Sequence, residues 1–228
     1  SPTQFSDPQS FHFMALDWLS RTDQVVDIIL ALSNIVDKDR LLLERFVLVY
    51  LYFAWDGPQW IDQCNFLSPT ASVCDWNDRT YLGNGIWCDN DGLVEELILQ
   101  QNRLTGRLDA IMYHLDLKFI WLFDNKIDGS ISSYIGEIDR LVGFEIERNP
   151  LTGTIPTEVG NLSSLRWLQL FISNINGTIP TELGRCTRLE SLEINSNELE
   201  GTIPSELGEL TALTDLFLGQ NNVQGTVP

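Results

Sequence analysis

From residue 93 onward the apolar positions fall in a fixed frame. Val94, Leu117, Leu141, Leu165, Leu189 and Leu213 each stand twelve residues before a glycine. Those glycines, Gly106, Gly129, Gly153, Gly177, Gly201 and Gly225, recur at one interval, the first step being a single position shorter than the equal steps that follow. The shared pattern is LxxLxLxxNxLxGxIPxxLGxL. Leu189, Leu192, Asn197, Leu199, Gly201, Ile203 and Pro204 match it outright, and Ile194 fills its third apolar place. Within LxxLxL the second and third apolar positions alternate with polar ones, which predicts a short half-buried strand. One such strand with its turn cannot bury that face alone, so the units must stack and share a core.

The ninth place of the frame holds Asn102, Asn125, Asn149, Asn197 and Asn221, whose side chains are expected to bond backbone groups of the adjoining coil. The fourth unit carries Ser173 there and Asn174 one place late, so the ladder should be weakened or rerouted at that point. Glycine supplies a permissive backbone and the following proline stops the strand; the first two units have Asp109 and Ser132 in place of that proline.

The first 92 residues do not fit the frame. Asp7-Pro8 reads as a helix start, followed by Phe11, Met14, Ala15 and Trp18 on one face. Leu42, Phe46, Val49, Tyr50 and Phe53 mark a second amphipathic helix after Asp37, and the apolar stretch QVVDIILALSNIV between them is read as helix. A loop-rich segment with Cys64, Cys74 and Cys88 follows WDGPQW.

The repeated phrase resembles the plant-type leucine-rich repeat over residues 93–228. The run Cys74, Trp76, Gly85, Ile86 and Cys88 is similar to the N-terminal cap of leucine-rich repeat ectodomains, lengthened by an insertion around Arg79 to Asn84. The stretches ALDWL, LYFAWDGPQW and FLSPTASVCDWN resemble caps of microalgal, diatom-like receptor-like proteins. The resemblance implies an α/β solenoid, a right-handed superhelix of about six 24-residue repeats whose parallel β-sheet lines the concave face. Residues 1–92 would be its helical, disulfide-containing N-terminal cap, and 93–228 the repeats, the last incomplete. The family pattern pairs Cys74 with Cys88 and leaves Cys64 over; Cys186 lies several coils away, too far to reach it when stacked strands are about 4.8 Å apart.

Composition narrows the function. Fourteen basic against 32 acidic residues, net −18, argue against nucleic acid or an anionic membrane surface as partner. The longest apolar run, Phe46 to Trp55, is about half of a membrane span, so any anchor would lie outside this chain. The two histidines, His12 and His114, form no nucleophile–base pair with a serine or cysteine, so no enzyme and no cofactor are expected. The acids of CDNDGL miss calcium-loop spacing and read as a turn leading into the first strand; no metal site is expected. Cys186 stands where sister units carry Leu or Ile, a buried thiol acting as a small hydrophobe. For a chain in the secretory pathway, Asn161 and Asn176 are glycosylation acceptors on turns.

What remains is the strand face turned away from the core. Ile120 and Leu122 take inward places, so Phe119, Trp121 and Phe123 point out beside Lys118; Arg166, Trp167 and Phe171 do so in the fourth unit, with Glu145 and Glu147 on the strand between. Such rings either pack on cross-strand neighbours or form a ligand surface, and contiguous exposed aromatics favour the second. Phe119, Trp121, Phe123, Glu145, Glu147, Trp167 and Phe171 are the candidate ligand-binding residues, for a peptide, a small apolar ligand or another protein, one with a cationic group beside an apolar one. The expectation is a non-catalytic extracellular or cell-surface recognition module of receptor-like type. The alternative is a secreted inhibitor or adhesion protein similar to polygalacturonase-inhibiting proteins. Truncating Trp121 or Trp167 should weaken the ligand with little loss of stability. Leu213, Leu216, Leu218, Val223 and Val227 should form a partly uncovered last coil, open to further chain, a partner or a second copy.

Overall fold

The structure is a computed structural model that describes residues 2–31, 38–78 and 83–227. Three helices open the chain: α1 (Phe11–Arg21), α2 (Gln24–Ala31) and α3 (Lys38–Ala54). The first begins later than Asp7-Pro8 suggests. The Asp7 carboxylate accepts from the Gln9 amide and the Asp7 carbonyl from the Ser10 amide, which closes a turn. The helix is then capped by Ser10, whose Oγ accepts from the Phe13 amide at 3.1 Å. The apolar stretch after Asp23 is helical through Ala31, and its remainder lies outside the described residues, as does Arg79 to Leu82 of the cap insertion.

Periodicity predicts one apolar face for α3, but the helix is buried nearly all round from Glu44 to Tyr52. It is held between α1 and the first coil. The cause is Arg45, 2% exposed, which forms a bidentate pair with the equally buried Asp23 and donates to the carbonyls of Ser68 (3.1 Å) and Ala71 (3.0 Å). Its guanidinium also lies 4.7 Å from the centre of the Trp76 ring. A polar residue inside an apolar helix thus joins the α1–α2 turn to the cysteine-bearing loop.

Among the described residues twelve strands follow. In chain order they are β1 (Gly85–Cys88), β2 (Val94–Ile98), β3 (Thr105–Arg107), β4 (Phe119–Trp121), β5 (Lys126–Asp128) and β6 (Gly143–Glu145). The rest are β7 (Trp167–Gln169), β8 (Asn176–Thr178), β9 (Ser191–Glu193), β10 (Glu198–Thr202), β11 (Asp215–Phe217) and β12 (Asn222–Gln224). The main sheet has seven strands in the order β1-β2-β4-β6-β7-β9-β11. Strand β1 is antiparallel to β2, and every later pair is parallel and in register, so each residue faces its counterpart one repeat on. Short strands after Asn102 and Asn125 make a two-stranded sheet and those after Asn174, Asn197 and Asn221 a three-stranded one, isolated bridges at Leu151 and Thr154 standing between them, and 3-10 turns such as Ala110–His114 and Thr157–Asn161 return the chain. Asp109 and Ser132, where the later units carry proline, cap their 3-10 turns by accepting from the Ile111 (3.0 Å) and Tyr134 (3.3 Å) amides.

One continuous core runs from the helices into the coils. The Trp55 indole donates to the Arg107 carbonyl at 2.9 Å and the Tyr50 hydroxyl to the Asp109 carboxylate at 2.7 Å. The Glu44 carboxylate, which burial pushes above its ordinary value, accepts from the Val94 amide that opens the first coil. At Gly106, φ is +97° and the Ala54 carbonyl lies 2.4 Å from where a Cβ would stand, so only glycine lets α3 end against this turn. Cys74 and Cys88 form a disulfide, while Cys64 and Cys186 are free and buried. The Cys186 thiol, pushed up to about 11 by burial, donates to the Val159 carbonyl. In the last coil Leu213, Leu216, Leu218 and Val223 are only half-buried and Val227 is exposed. No helix among the described residues is long and apolar enough to cross a membrane.

The candidate recognition surface on the strand face

The face is set by the asparagine ladder, which fixes how each strand leaves the sheet. The Asn125 Nδ2 donates to the carbonyls of Leu99 and Leu122, both at 2.8 Å, and its Oδ1 accepts from the amides of Asn102 and Leu104, both at 3.0 Å. Asn149, Asn197 and Asn221 repeat the arrangement, and Asn102 clamps Asp62 of the preceding loop. The break falls at the fourth unit. Ser173 Oγ is buried without a partner, and the Leu151 amide, which an asparagine there would receive, turns instead to the Asn149 carbonyl at 2.8 Å.

Register then lines up three rows of side chains across the strands. Phe119, Gly143, Trp167 and Ser191 form the first, and Trp121, Glu145, Gln169, Glu193 and Phe217 the second. The amide of Asp124 bonds the Glu147 carbonyl and that of Arg148 the Phe171 carbonyl, which places Phe123, Glu147 and Phe171 in the third. Phe119, Trp121, Phe123, Trp167 and Phe171 are all half-buried on this face, and Phe217 is 50% exposed.

Two features differ from the sequence reading. The rings pack on one another: Phe119 and Trp167, two strands apart, stack at 6.2 Å between centroids, and Phe119 meets Trp121 edge-on at 5.6 Å. Gly143 makes this contact, since a Cβ there would fall 2.9 Å from the Phe119 ring. Truncating Trp121 or Trp167 therefore removes packing as well as surface. Second, Glu147 is not an open outward acid but only 5% exposed, and its Oε2 has no hydrogen-bond partner. Burial first, then the charge of Glu193, raises Glu145 to about 7; burial, with Glu145 and Glu193 adding to it, raises Glu147 to about 7 as well.

Sequence reasoning passed over Gly143, Gln169, Ser191 and Glu193. The Glu193 carboxylate accepts from Gln169 and Ser191, both at 3.1 Å, which holds it on the strand face. The signal was present: positions one repeat apart pair across strands, so Gly143 necessarily sits between Phe119 and Trp167. The remaining site residues lie elsewhere. Asn161 is exposed at the end of a 3-10 turn; Asn176 is exposed too, but on β8 rather than on a turn, because the Gly177 phrase pairs with its successor in the three-stranded sheet. The Asp89 carboxylate accepts from the amides of Asp91 and Leu93, both at 3.0 Å, and so closes the turn of CDNDGL. His12 packs between Phe5 and Tyr50, and His114 is exposed on its turn. No cluster of three metal-ligating side chains occurs among the described residues.

A leucine-rich repeat family model matches residues 188–210. No curated protein matches the sequence. Among solved structures, the chain is similar to the plant peptide hormone receptor RGFR1 in complex with RGF2. Identity is 38% and the TM-score 0.58, over 59% of this chain and 22% of that one. It is also similar to the leucine-rich repeat ectodomain of the membrane receptor kinase GASSHO1/SCHENGEN3 from Arabidopsis thaliana, in complex with CASPARIAN STRIP INTEGRITY FACTOR 2. There identity is 32% and the TM-score 0.58, over 68% of this chain and 22% of that one. A chain of the Arabidopsis thaliana BIR3–SERK2 complex is 28% identical with a TM-score of 0.60, over 77% of this chain and 94% of that one. The chain thus spans under a quarter of the length of the first two receptors. With strands in register from each repeat to the next and an asparagine ladder between them, the chain carries a plant-type leucine-rich repeat array, the repeat of the receptor ectodomains to which it is similar.

Proposed function

We propose that this chain is a non-catalytic recognition module of receptor-like type, working outside the cell, that binds a peptide or another protein across the strand face. On this reading residues 93–228 are six turns of a right-handed solenoid with that face concave, and 1–92 are the helical cap that covers the first turn. Phe119, Trp121, Phe123, Trp167 and Phe171 anchor the ligand, and glycans on Asn161 and Asn176 would leave the face open. One observation carries the proposal: the half-buried rings of Phe119, Trp121 and Trp167 pack into one patch on the side of the sheet away from the core, braced by Gly143, with Phe123 and Phe171 half-buried in the next row. Aromatic anchors provide large contact area at small entropic cost, and truncating one at the centre of an interface commonly costs about 2 kcal/mol or more. The similarity to a peptide hormone receptor in complex with RGF2 supports a peptide as first choice.

The test is selection of a displayed random peptide library on the immobilised protein, followed by affinity measurement on Trp121→Ala and Trp167→Ala. Selected peptides should bind at least about tenfold more weakly to each variant. Selection no better than on a blank surface, or binding indifferent to both substitutions, would place recognition elsewhere.

A further inference from the structure

The strand face carries two complementary orphans. Glu147 Oε2 is a buried acceptor without a donor; Trp121 Nε1, which lies over Gly143 on the adjoining strand, is a buried donor without an acceptor. Buried polar atoms ordinarily find partners, and each one left over costs about 1–3 kcal/mol. Among the described residues neither Glu145 nor Glu147 forms an ion pair. The nearest cation by sequence, Arg148, lies over the Phe171 ring, 5.9 Å from its centre, with its charge turned to the aromatic face.

We propose that the strand face at Glu147 is a subsite for one extended cationic side chain, a guanidinium or alkylammonium, of a peptide ligand that continues along the face so that one of its backbone carbonyls accepts from the Trp121 indole over Gly143. The proposal deepens the recognition reading above and rests on it. Phe123 and Phe171 stand on either side of Glu147 in the same row, so an aliphatic stem lies against the rings while its charged head reaches the carboxylate. Glu145 and Glu193 flank the head with further negative charge. A metal ion fits poorly, because these carboxylates do not converge as a ligand cluster among the described residues. An anion is repelled. A free polyamine would satisfy Glu147 but leave the indole donor unmet, whereas a peptide satisfies both.

The charges facing Glu147 are Glu145, Glu193 and Arg148; burial first, with Glu145 and Glu193 adding to it and Arg148 opposing, raises its carboxyl to about 7. A cation binds the ionised form, so affinity should rise with pH through that value and binding should release a proton. The probes are acetyl-Phe-Arg-amide and its uncharged isostere acetyl-Phe-citrulline-amide. Each is titrated into the 15N-labelled protein while the indole resonances of Trp121 and Trp167 are followed by NMR. Near pH 8 the arginine peptide should bind about tenfold more tightly than the citrulline peptide, and the ratio should shrink about fivefold near pH 5.5. Glu147→Gln, an isosteric change, should abolish the ratio, and Trp121→Phe should weaken both peptides alike. Equal binding of the two peptides with shifted indoles, or a ratio that survives in Glu147→Gln, overturns the subsite while leaving recognition by the face intact. If neither peptide moves either indole at about 20 mM, both readings fall. If calcium chloride alone moves the Trp121 resonance and displaces the peptide, the face at Glu147 is a metal site and the proposal is wrong.

Discussion

Ser173 measures what one side chain contributes to the frame. Its neighbours in the ladder, Asn149 and Asn197, each tie two coils with buried bonds, whereas Ser173 Oγ is buried and idle. Ser173→Asn should let the new amide donate to the Ile146 and Leu170 carbonyls and receive the Leu151 amide. Urea unfolding should then show a gain of about 1 kcal/mol, and a loss would mean that the turn cannot return to the common path. The preceding residue adds to the irregularity. Ile172 holds φ at +53°, a left-handed conformation shared with Asp124, Arg148 and Ser196 but unsuited to a β-branched side chain.

Among the elements, α3 departs furthest from expectation. A helix with charged residues at Glu44 and Arg45 reads as amphipathic, with those residues outside. They are inside because the chain brings partners to them: Asp23 from the end of α1, the 68–71 loop, and the Val94 amide. Arg45→Ala would leave Asp23 charged, buried and unpaired. We expect a destabilisation of about 3–5 kcal/mol in thermal or chemical unfolding. A substitution to Met that keeps the stem should be less harmful when combined with Asp23→Asn. A small effect of Arg45→Ala would show that water reaches Asp23 and that the helices are held by apolar packing alone.

For the whole molecule, the acids of the strand face make stability depend on pH in an unusual direction. Glu145 and Glu147 titrate at about 7 in the folded protein against an ordinary 4.5, so folding takes up protons. Their contribution is complete below about pH 4.5 and is lost as pH rises through 7. Glu44, Asp62 and Glu96 are also raised by burial and push the same way, while Asp89, lowered first by its bond from the Leu93 amide, opposes them. The melting temperature should fall from near pH 5 to near pH 8. Glu147→Gln should flatten that fall and exceed the wild type near pH 8 by on the order of 2 kcal/mol. Identical slopes for the two proteins would mean that Glu147 is solvated in the free molecule. The packing of Phe119 on Trp167 has its own consequence at this scale. Trp167→Ala, besides weakening a ligand, should lower stability by about 1 kcal/mol, a shift of about 2–4 °C for a chain of this size.

The sequence by itself determined the repeat, its register and which strand positions look outward. These are legible because each coil restates them: Leu189, Asn197 and Gly201 have their counterparts one repeat away, and a strand as short as Ser191–Glu193 has room for only one alternation. The paired Cys74 and Cys88 were legible from the family pattern. Only the tertiary structure decided what neighbours do to one another. Glu147 looks like its outward companions along the chain, yet in the fold it is almost fully buried. Gly143 looks like a gap in a strand, yet it is the floor on which Phe119 and Trp167 meet. Arg45 looks solvent-facing until Asp23 closes on it. Periodicity is a local property, repeated and averaged over coils, whereas burial and charge are sums over residues that only folding brings together.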